Sequence, residues 1–449
     1  KILRLGLPEN QLFLTRRVFI AMFDQNRFSF LKVTGNKIRG FLNSKFNYYY
    51  YFPGFVFSKH PGRIKWRTVT SGLLIQFIFG IVFIRWDPGR HALQCFSDKV
   101  ATFLSYGVEG AAFVFGDLLV TTIVFFKFQT LPVIFFFSML VEVLFFWGAL
   151  QWFCLKLGQL LRAATNTTVV ESVIAIGNIF LGMSESVLLV KPYLKLLTPS
   201  ELHVVMSSGF ATVSGTILAA YIGFGAEPAH LVTASVMSGP AAICYSKLLM
   251  PETKRSLTRV DNLQTVESED QSALSAATKG ATNGIALILN IIANLVAFVA
   301  VIAWFNGAIA YFGGMLGYPD LTLEFLMGKV FIPLCWVMGV PWEECELVGS
   351  LIGLKTILNE FVAYQRMGEM KRDGLLSLIA TYSLCGFTNP GSAGIMIGAI
   401  SAMAPNQRET LSSVSISGKY IYAKKKQKKK PKLNVKNFLQ FLNYWISQY

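Results

Sequence analysis

Polar side chains that could bind a solute interrupt the apolar sequence between residues 353 and 392. Glu360 lies in the string GLKTILNEFVAY, and Asn389 and Ser392 lie in LCGFTNPGS. A carboxylate can accept hydrogen bonds from two vicinal hydroxyls, and an amide both donates and accepts them. Phe387 could stack on a ring, although an aromatic residue in an apolar run is also typical of a packed core. These residue types predict a site for a sugar-like solute.

A second polar segment, residues 171–190, reads ESVIAIGNIFLGMSESVLLV. A dehydrated Na⁺ needs several oxygen ligands, which side chains and carbonyls freed from a helix can supply. Asn178, the Leu181 carbonyl and the Thr212 hydroxyl form such a set. Glu185 could neutralise charge beside the ion or accept a hydrogen bond from the solute.

The composition indicates that both segments lie in a membrane protein. The 449 residues are 53% hydrophobic and 15% charged and include 38 Phe, which is too apolar for an ordinary soluble domain. Carboxylates and amides at bilayer depth are costly and usually mark a functional site. We therefore predict an all-α polytopic protein in the lipid bilayer. Its apolar runs near membrane length are residues 69–86, 131–155, 202–223, 231–250, 284–316 and 376–404.

The formal charge of +16 does not predict a nucleic-acid partner. Much of it lies in Arg63, Lys65 and Arg67 beside an apolar run, and in the tail KKKQKKKPK at residues 424–432. Cations next to membrane spans normally set topology or contact anionic headgroups. We expect the same here.

The two polar segments belong to one unit that is used twice. Each is too polar for a lipid-facing span and could fold as a re-entrant hairpin, and a glycine-rich apolar run follows each of them. Glu185 precedes Thr212 by 27 positions, and Glu360 precedes Phe387 by the same 27. Repeated discontinuous elements predict a substrate site near the bilayer midplane.

The remaining sequence is assigned around these units. An N-terminal segment with a weak or absent first helix precedes membrane and interfacial helices, the latter including residues 98–116. A loop and scaffold helices separate the two units, and a lysine-rich tail follows. The predicted segments are 1–60, 61–165, 166–250, 251–340, 341–412 and 413–449.

An intramembrane carboxylate admits three interpretations: proton relay, cation ligand, or acceptor for a polar solute. None of the four His residues lies in the polar segments, which favours a cation ligand or an acceptor for a polar solute over a proton relay.

G-x-S-x-G, H-E-x-x-H and phosphate-loop motifs are absent from the sequence, so we do not expect an enzyme. A proton-coupled transporter and a non-transporting scaffold or receptor stay open. We expect Glu142, alone in its span, to be structural, and Lys355 to snorkel or pair.

Five motifs carry a resemblance, and their order and spacing agree with one known family. They are NIFLGMSE at 178–185, SELHVVMSSGFATVSGTILAA at 200–220, ASVMSGP at 234–240, NEFVAY at 359–364 and LCGFTN at 384–389. Together they resemble the concentrative nucleoside transporter family over roughly residues 60–412.

The resemblance implies a homotrimeric, multi-pass symporter of the plasma membrane that moves nucleosides together with Na⁺ and needs no other cofactor. Each protomer would have a scaffold domain and a transport domain that crosses the membrane with the substrate. Two inverted units of hairpin and broken helix would form the transport domain.

The resemblance also assigns roles to individual residues. The nucleobase would lie near residues of the first unit, namely Met183, Ser184, Glu185 and Ile217. The ribose would lie near residues of the second unit, namely Glu360, Phe387, Asn389 and Ser392. Sodium would bind at Asn178, Leu181, Thr212 and Val213, the last through its carbonyl.

Two departures from the family pattern bear on function. The hairpin reads GMSE from Gly182 where Gly-Gln-Thr-Glu is common. Gly182 and Met183, with Thr216 and Ile217, resemble the purine-preferring vertebrate type, so we expect purine nucleosides to be preferred and uridine tolerated.

Beyond about Ser413 the family continues into a membrane helix, whereas this chain becomes lysine-rich, which predicts an altered or truncated C-terminus. The start at Lys1 predicts an incomplete N-terminus.

Overall fold

A computed structural model gives the fold and describes residues 54–115 except 56, 131–258, 268, 270–318 except 316, 321–372 and 378–415. Nearly all of the predicted N-terminal segment and the lysine-rich tail after residue 415 lie outside the described residues. The described part is helical and contains no strand, as the all-α prediction requires.

The α-helices of the described residues are numbered in chain order. They are α1 Trp66–Gly80, α2 Asp87–Phe115, α3 Leu131–Phe146, α4 Ala149–Thr165, α5 Val169–Phe180, α6 Pro199–Ala211, α7 Gly215–Gly223, α8 Pro228–Leu249, α9 Ala273–Met315, α10 Leu323–Met338, α11 Cys345–Ile357, α12 Glu360–Arg372, α13 Leu378–Leu384, α14 Pro390–Met403 and α15 Arg408–Ser415. Short 3₁₀ helices connect some of them, the longest being Ser186–Leu196.

One described helical segment is long and apolar enough to cross a membrane by itself. It is Trp66–Arg85, which combines α1 with a π-helical turn, and a bent pair of helices could form a second span. Other apolar helices, such as Val169–Phe180 and Gly391–Met403, are shorter. Hairpins and broken helices thus account for much of the apolar sequence.

The predicted span at residues 131–155 is not one continuous helix, because the chain bends there. The helix pair Val133–Phe146 and Ala149–Thr165 meets at 78°. Gly148 lies in the bend with a φ of 71°, a left-handed conformation that glycine adopts without steric cost. The bend turns α4 away from α3 instead of extending it.

Two helices begin earlier than predicted. The predicted interfacial helix at 98–116 starts at Asp87, and the long helix predicted from residue 284 starts at Ala273. In both, polar residues continue the helix beyond the apolar run. Hydropathy alone therefore placed the boundaries too late.

The first unit comprises α5, the 3₁₀ helix, α6 and α7. Thr168 and Glu171 form a capping box at the start of α5, and the Thr168 N–H donates to the Glu171 carboxylate at 2.9 Å. Thr198 and Glu201 repeat this arrangement at the start of α6. Helix α6 ends at Ala211, and α7 begins four residues later, so the apolar run is a broken helix as predicted.

The second unit comprises α11 to α14, and its break contacts the break of the first unit. Between α13 and α14, Gly386 has a φ of 94°. The Phe387 N–H donates to the carbonyl of Phe210, a residue in the last turn of α6, at 2.6 Å. A backbone hydrogen bond therefore joins the two breaks. Aromatic rings add to the contact, because Tyr221 of α7 stacks on Tyr364 of α12 with ring centroids 4.2 Å apart.

Replacing Gly386 with Ala is expected to destabilise the protein by about 2 kcal/mol or more, because left-handed backbone disfavours a Cβ. A Cβ at Gly386 would also lie 2.5 Å from the Phe210 carbonyl oxygen. The unfolding midpoint in detergent measures the effect. Gly398→Ala is the control, since a Cβ on Gly398, which lies in α14, would meet no other atom within 4 Å. Equal midpoints for the two variants would contradict the prediction.

Candidate functional site

A cavity of about 500 Å³ lies where the two units meet. The tips of both hairpins and the starts of α7 and α14 line it, and one face of α3 closes it. Such a volume is in the range of small-molecule sites. All of the residues predicted to contact substrate line this cavity, namely Met183, Ser184, Glu185, Ile217, Glu360, Phe387, Asn389 and Ser392. Their roles in binding stay predictions.

The second unit contributes a preformed carboxylate–amide pair to the wall of the cavity. Glu360 is the first residue of α12 and only 3% exposed. The Asn389 side-chain amide donates to the Glu360 carboxylate at 3.0 Å. The Asn389 carbonyl oxygen in turn accepts from the Ser392 N–H at 2.8 Å, which caps α14. Helix geometry therefore fixes the orientation of the pair before any ligand binds.

Lys355 stabilises the backbone next to this pair. It does not snorkel to the surface, since its side chain is fully buried. Its ammonium donates to the carbonyls of Ser383 at 3.1 Å and Cys385 at 3.0 Å. These carbonyls are at the end of α13, where no further helical turn can satisfy them. Lys355 thus ties the second hairpin to the second broken helix.

The tip of the first hairpin holds the other carboxylate. Glu185 accepts a hydrogen bond from the Gly182 N–H at 3.0 Å, which fixes its carboxylate at the tip. A Cβ on Gly209 of α6 would lie 3.1 Å from the Cβ of Met183. The hairpin tip therefore packs against the last turn of α6.

The predicted sodium ligands lie at the ends of two helices. Asn178 is in the last turn of α5, and Leu181 follows that helix, while Thr212 and Val213 follow α6. All four are buried. The Asn178 side-chain oxygen accepts from the Ser186 hydroxyl at 2.7 Å.

Helix C-termini carry partial negative charge, and neutral oxygens suit a hard monovalent cation. The residues present therefore fit Na⁺, and their assignment to the ion stays a prediction. Among the described residues, no cluster of three or more His, Cys, Asp or Glu side chains could hold a metal.

Reasoning from the sequence did not assign Glu142 and Asn283 to the cavity. Glu142 of α3, which is expected to be structural, accepts a hydrogen bond from the Asn283 side chain of α9 at 3.0 Å. Both line the cavity. A signal was available in α3, where lining residues recur at helical spacing, namely Ser138, Val141, Glu142 and Phe145. Thr216 lies in α7, but its side chain is outside the described residues.

A polar cavity framed by two hairpins and two broken helices is the architecture of a secondary transporter. Three family models match the chain. They are described as Na⁺ dependent nucleoside transporter N-terminus at residues 49–118, Nucleoside recognition at 128–228, and Na⁺ dependent nucleoside transporter C-terminus at 230–421.

Curated relatives agree with the family models. Solute carrier family 28 member 3 of Homo sapiens is 42% identical over 380 residues, which are 81% of this chain and 55% of that protein. Sodium/nucleoside cotransporter 2 of Rattus norvegicus is 40% identical over 375 residues, which are 80% and 57% of the two chains. The chain spans slightly more than half the length of these relatives.

A solved structure of CNTnw in an inward-facing substrate-bound state has a TM-score of 0.79 at 34% identity. The match covers 90% of this chain and 95% of that one. The chain belongs to the concentrative nucleoside transporter family and is accordingly a multi-pass membrane protein.

Proposed function

We propose that this protein is a sodium-coupled symporter that imports nucleosides across the plasma membrane. The observation that carries the proposal is the cavity, which collects the predicted base-binding and ribose-binding residues from segments 175 positions apart, such as Glu185 and Glu360. The matched family models and the names of the relatives support both the nucleoside and the ion.

Coupling follows from the shared hairpin. Asn178 and Leu181 are proposed to bind Na⁺, and Met183, Ser184 and Glu185 are proposed to bind the base. All five lie in one short stretch, residues 178–185, at the end of α5 and the tip of the first hairpin. A sodium ion that orders the hairpin tip would complete the base site. The ion would therefore bind the nucleoside-bound protein more tightly than the nucleoside-free protein. Differential affinity of this kind links two gradients.

The proposal includes an elevator-type movement of a transport domain, built from the two inverted units, against a scaffold in a homotrimer. Solved relatives described as inward-facing, intermediate and outward-facing states of CNTnw support alternating access.

We also propose a preference for purine nucleosides, with uridine tolerated, on the basis of the GMSE string at Gly182 and of Thr216 and Ile217.

Replacing external Na⁺ with choline is expected to lower the uptake of labelled adenosine or inosine at least about tenfold, because the binding-competent hairpin is then rarely populated. Uptake by cells expressing the 449-residue chain measures this. Equal uptake in both media removes Na⁺ from the mechanism. Uptake that a proton gradient sustains without Na⁺ indicates proton coupling, and binding without uptake indicates a non-transporting receptor.

A variant pair localises the ion within the same assay. Thr212→Val removes one proposed oxygen ligand and is expected to raise the half-saturating Na⁺ concentration roughly tenfold. Thr233→Val is the matched control. Both threonines are buried, and each hydroxyl donates to the carbonyl four residues earlier, at 3.0 Å and 2.6 Å respectively. Equal shifts in the two variants would place the ion elsewhere.

A further inference from the structure

The pair formed by Glu142 and Asn283 lies where α3 and α9 cross closely. Glycines permit the crossing, since a Cβ on Gly280 would lie 2.5 Å from the Ser138 carbonyl oxygen and 3.0 Å from the Glu142 Cβ. A Cβ on Gly284, one turn later, would lie 3.2 Å from the Phe135 Cα. Small residues spaced by four are a common device for close packing of membrane helices. The close approach brings the Asn283 amide within hydrogen-bond distance of the Glu142 carboxylate.

The pair faces the first hairpin across the cavity. Glu142 lines the same cavity as Met183, Ser184 and Glu185. Two carboxylates that line one cavity are more favourable when a ligand places hydrogen-bond donors between them. The arrangement therefore favours a ligand that brings N–H groups to this end of the cavity.

The pair also presents a defined pattern of donors and acceptors. Asn283 donates to one carboxylate oxygen of Glu142 at 3.0 Å. A carboxylate has about four acceptor positions and a side-chain amide has two N–H groups, so the pair keeps both an acceptor and a donor for a ligand. An acceptor beside a donor complements an exocyclic amino group beside an unprotonated ring nitrogen, as in adenine.

We propose that Glu142, positioned by Asn283, is a specificity-determining residue that accepts a hydrogen bond from the exocyclic amino group of the nucleobase. The inference rests on the proposed nucleoside transport and adds a wall that neither hairpin unit provides. It predicts that nucleosides with an amino-substituted base are preferred over analogues that lack the amino group.

The test compares adenosine with purine riboside, which has the same ring system without the amino group. In Glu142→Ala, the kcat/KM for sodium-dependent adenosine uptake is expected to fall about tenfold, the effect of one charge-assisted hydrogen bond, while that for purine riboside stays within about twofold. The discrimination between the two substrates is the readout, because a merely structural residue would affect both alike.

Helix α9 offers a matched control. Its Asn306 donates to Glu324 at 3.1 Å, the same pair of residue types, but neither residue lines the cavity. Glu324→Ala is expected to leave the substrate ratio unchanged. Should Glu142→Ala fail to reach the membrane, Glu142→Gln keeps the shape and one acceptor, and the ratio is expected to fall roughly threefold.

Each outcome is informative. A substrate ratio that neither Glu142 variant alters overturns the inference, while sodium-dependent uptake by the unaltered chain leaves the proposed function intact. Absence of sodium-dependent uptake of both nucleosides in the unaltered chain overturns the proposed function itself. A ratio that falls with Glu142→Ala and not with Glu324→Ala supports both.

Discussion

Glu360→Gln is expected to lower the kcat/KM of nucleoside uptake about 100-fold. The carboxylate is buried, lines the cavity and accepts a hydrogen bond from Asn389, and in the proposed mechanism it also accepts from the ribose hydroxyls. Each charge-assisted hydrogen bond contributes about 1.5–3 kcal/mol, or roughly tenfold to a hundredfold in binding. A glutamine loses the charge and turns an N–H₂ group towards either Asn389 or the substrate hydroxyls.

Uptake of labelled adenosine, corrected for protein at the cell surface, measures this effect. Glu346→Gln is the control on the neighbouring helix α11, because Glu346 forms an exposed ion pair with Lys329 at 2.6 Å. Exposed pairs contribute at most about 1 kcal/mol, so uptake should be almost unchanged. Full uptake by Glu360→Gln would refute the ribose assignment.

Lys355→Met is expected to lower the free energy of unfolding by about 2–4 kcal/mol, because two buried carbonyls lose their donor. Methionine has a similar length and leaves little empty space, so the loss reports the hydrogen bonds from the ammonium to Ser383 and Cys385. The second hairpin would also lose its tie to the broken helix. We expect the uptake rate to fall together with stability.

The unfolding midpoint and the half-life in detergent measure the stability of the variant. Lys329→Met provides the comparison, since Lys329 is half exposed and its loss removes only a surface ion pair. If Lys355→Met unfolds at the same temperature as Lys329→Met, the buried ammonium does not secure the site.

The hairpins and broken helices could be predicted because polar residues and glycines interrupt apolar runs there. Asn178 and Glu185, or Glu360 and Asn389, have no stable place against lipid, which marks the segment directly in the sequence. The structure of α5 to α7 and of α11 to α14 follows that pattern.

Other features depend on tertiary contacts that leave little local signal. The bend at Gly148 falls within a continuous apolar run, so hydropathy gives one span where the chain makes two helices. Asn283 meets Glu142 from 141 positions away, and the carbonyls that hold Lys355 are 28 and 30 positions from it. Such partners are chosen by packing and cannot be read from the spacing of residues along one helix.

The hydrogen bond between the Phe387 N–H and the Phe210 carbonyl has a mechanical consequence. Each break lacks helical hydrogen bonds and, taken singly, would act as a hinge. Because the two breaks are bonded to each other, the bond opposes flexing of one break without the other. The bond therefore favours movement of the two units as one body, in which the separation of Glu185 and Glu360 changes little. A solute is then selected by its span as well as by its functional groups.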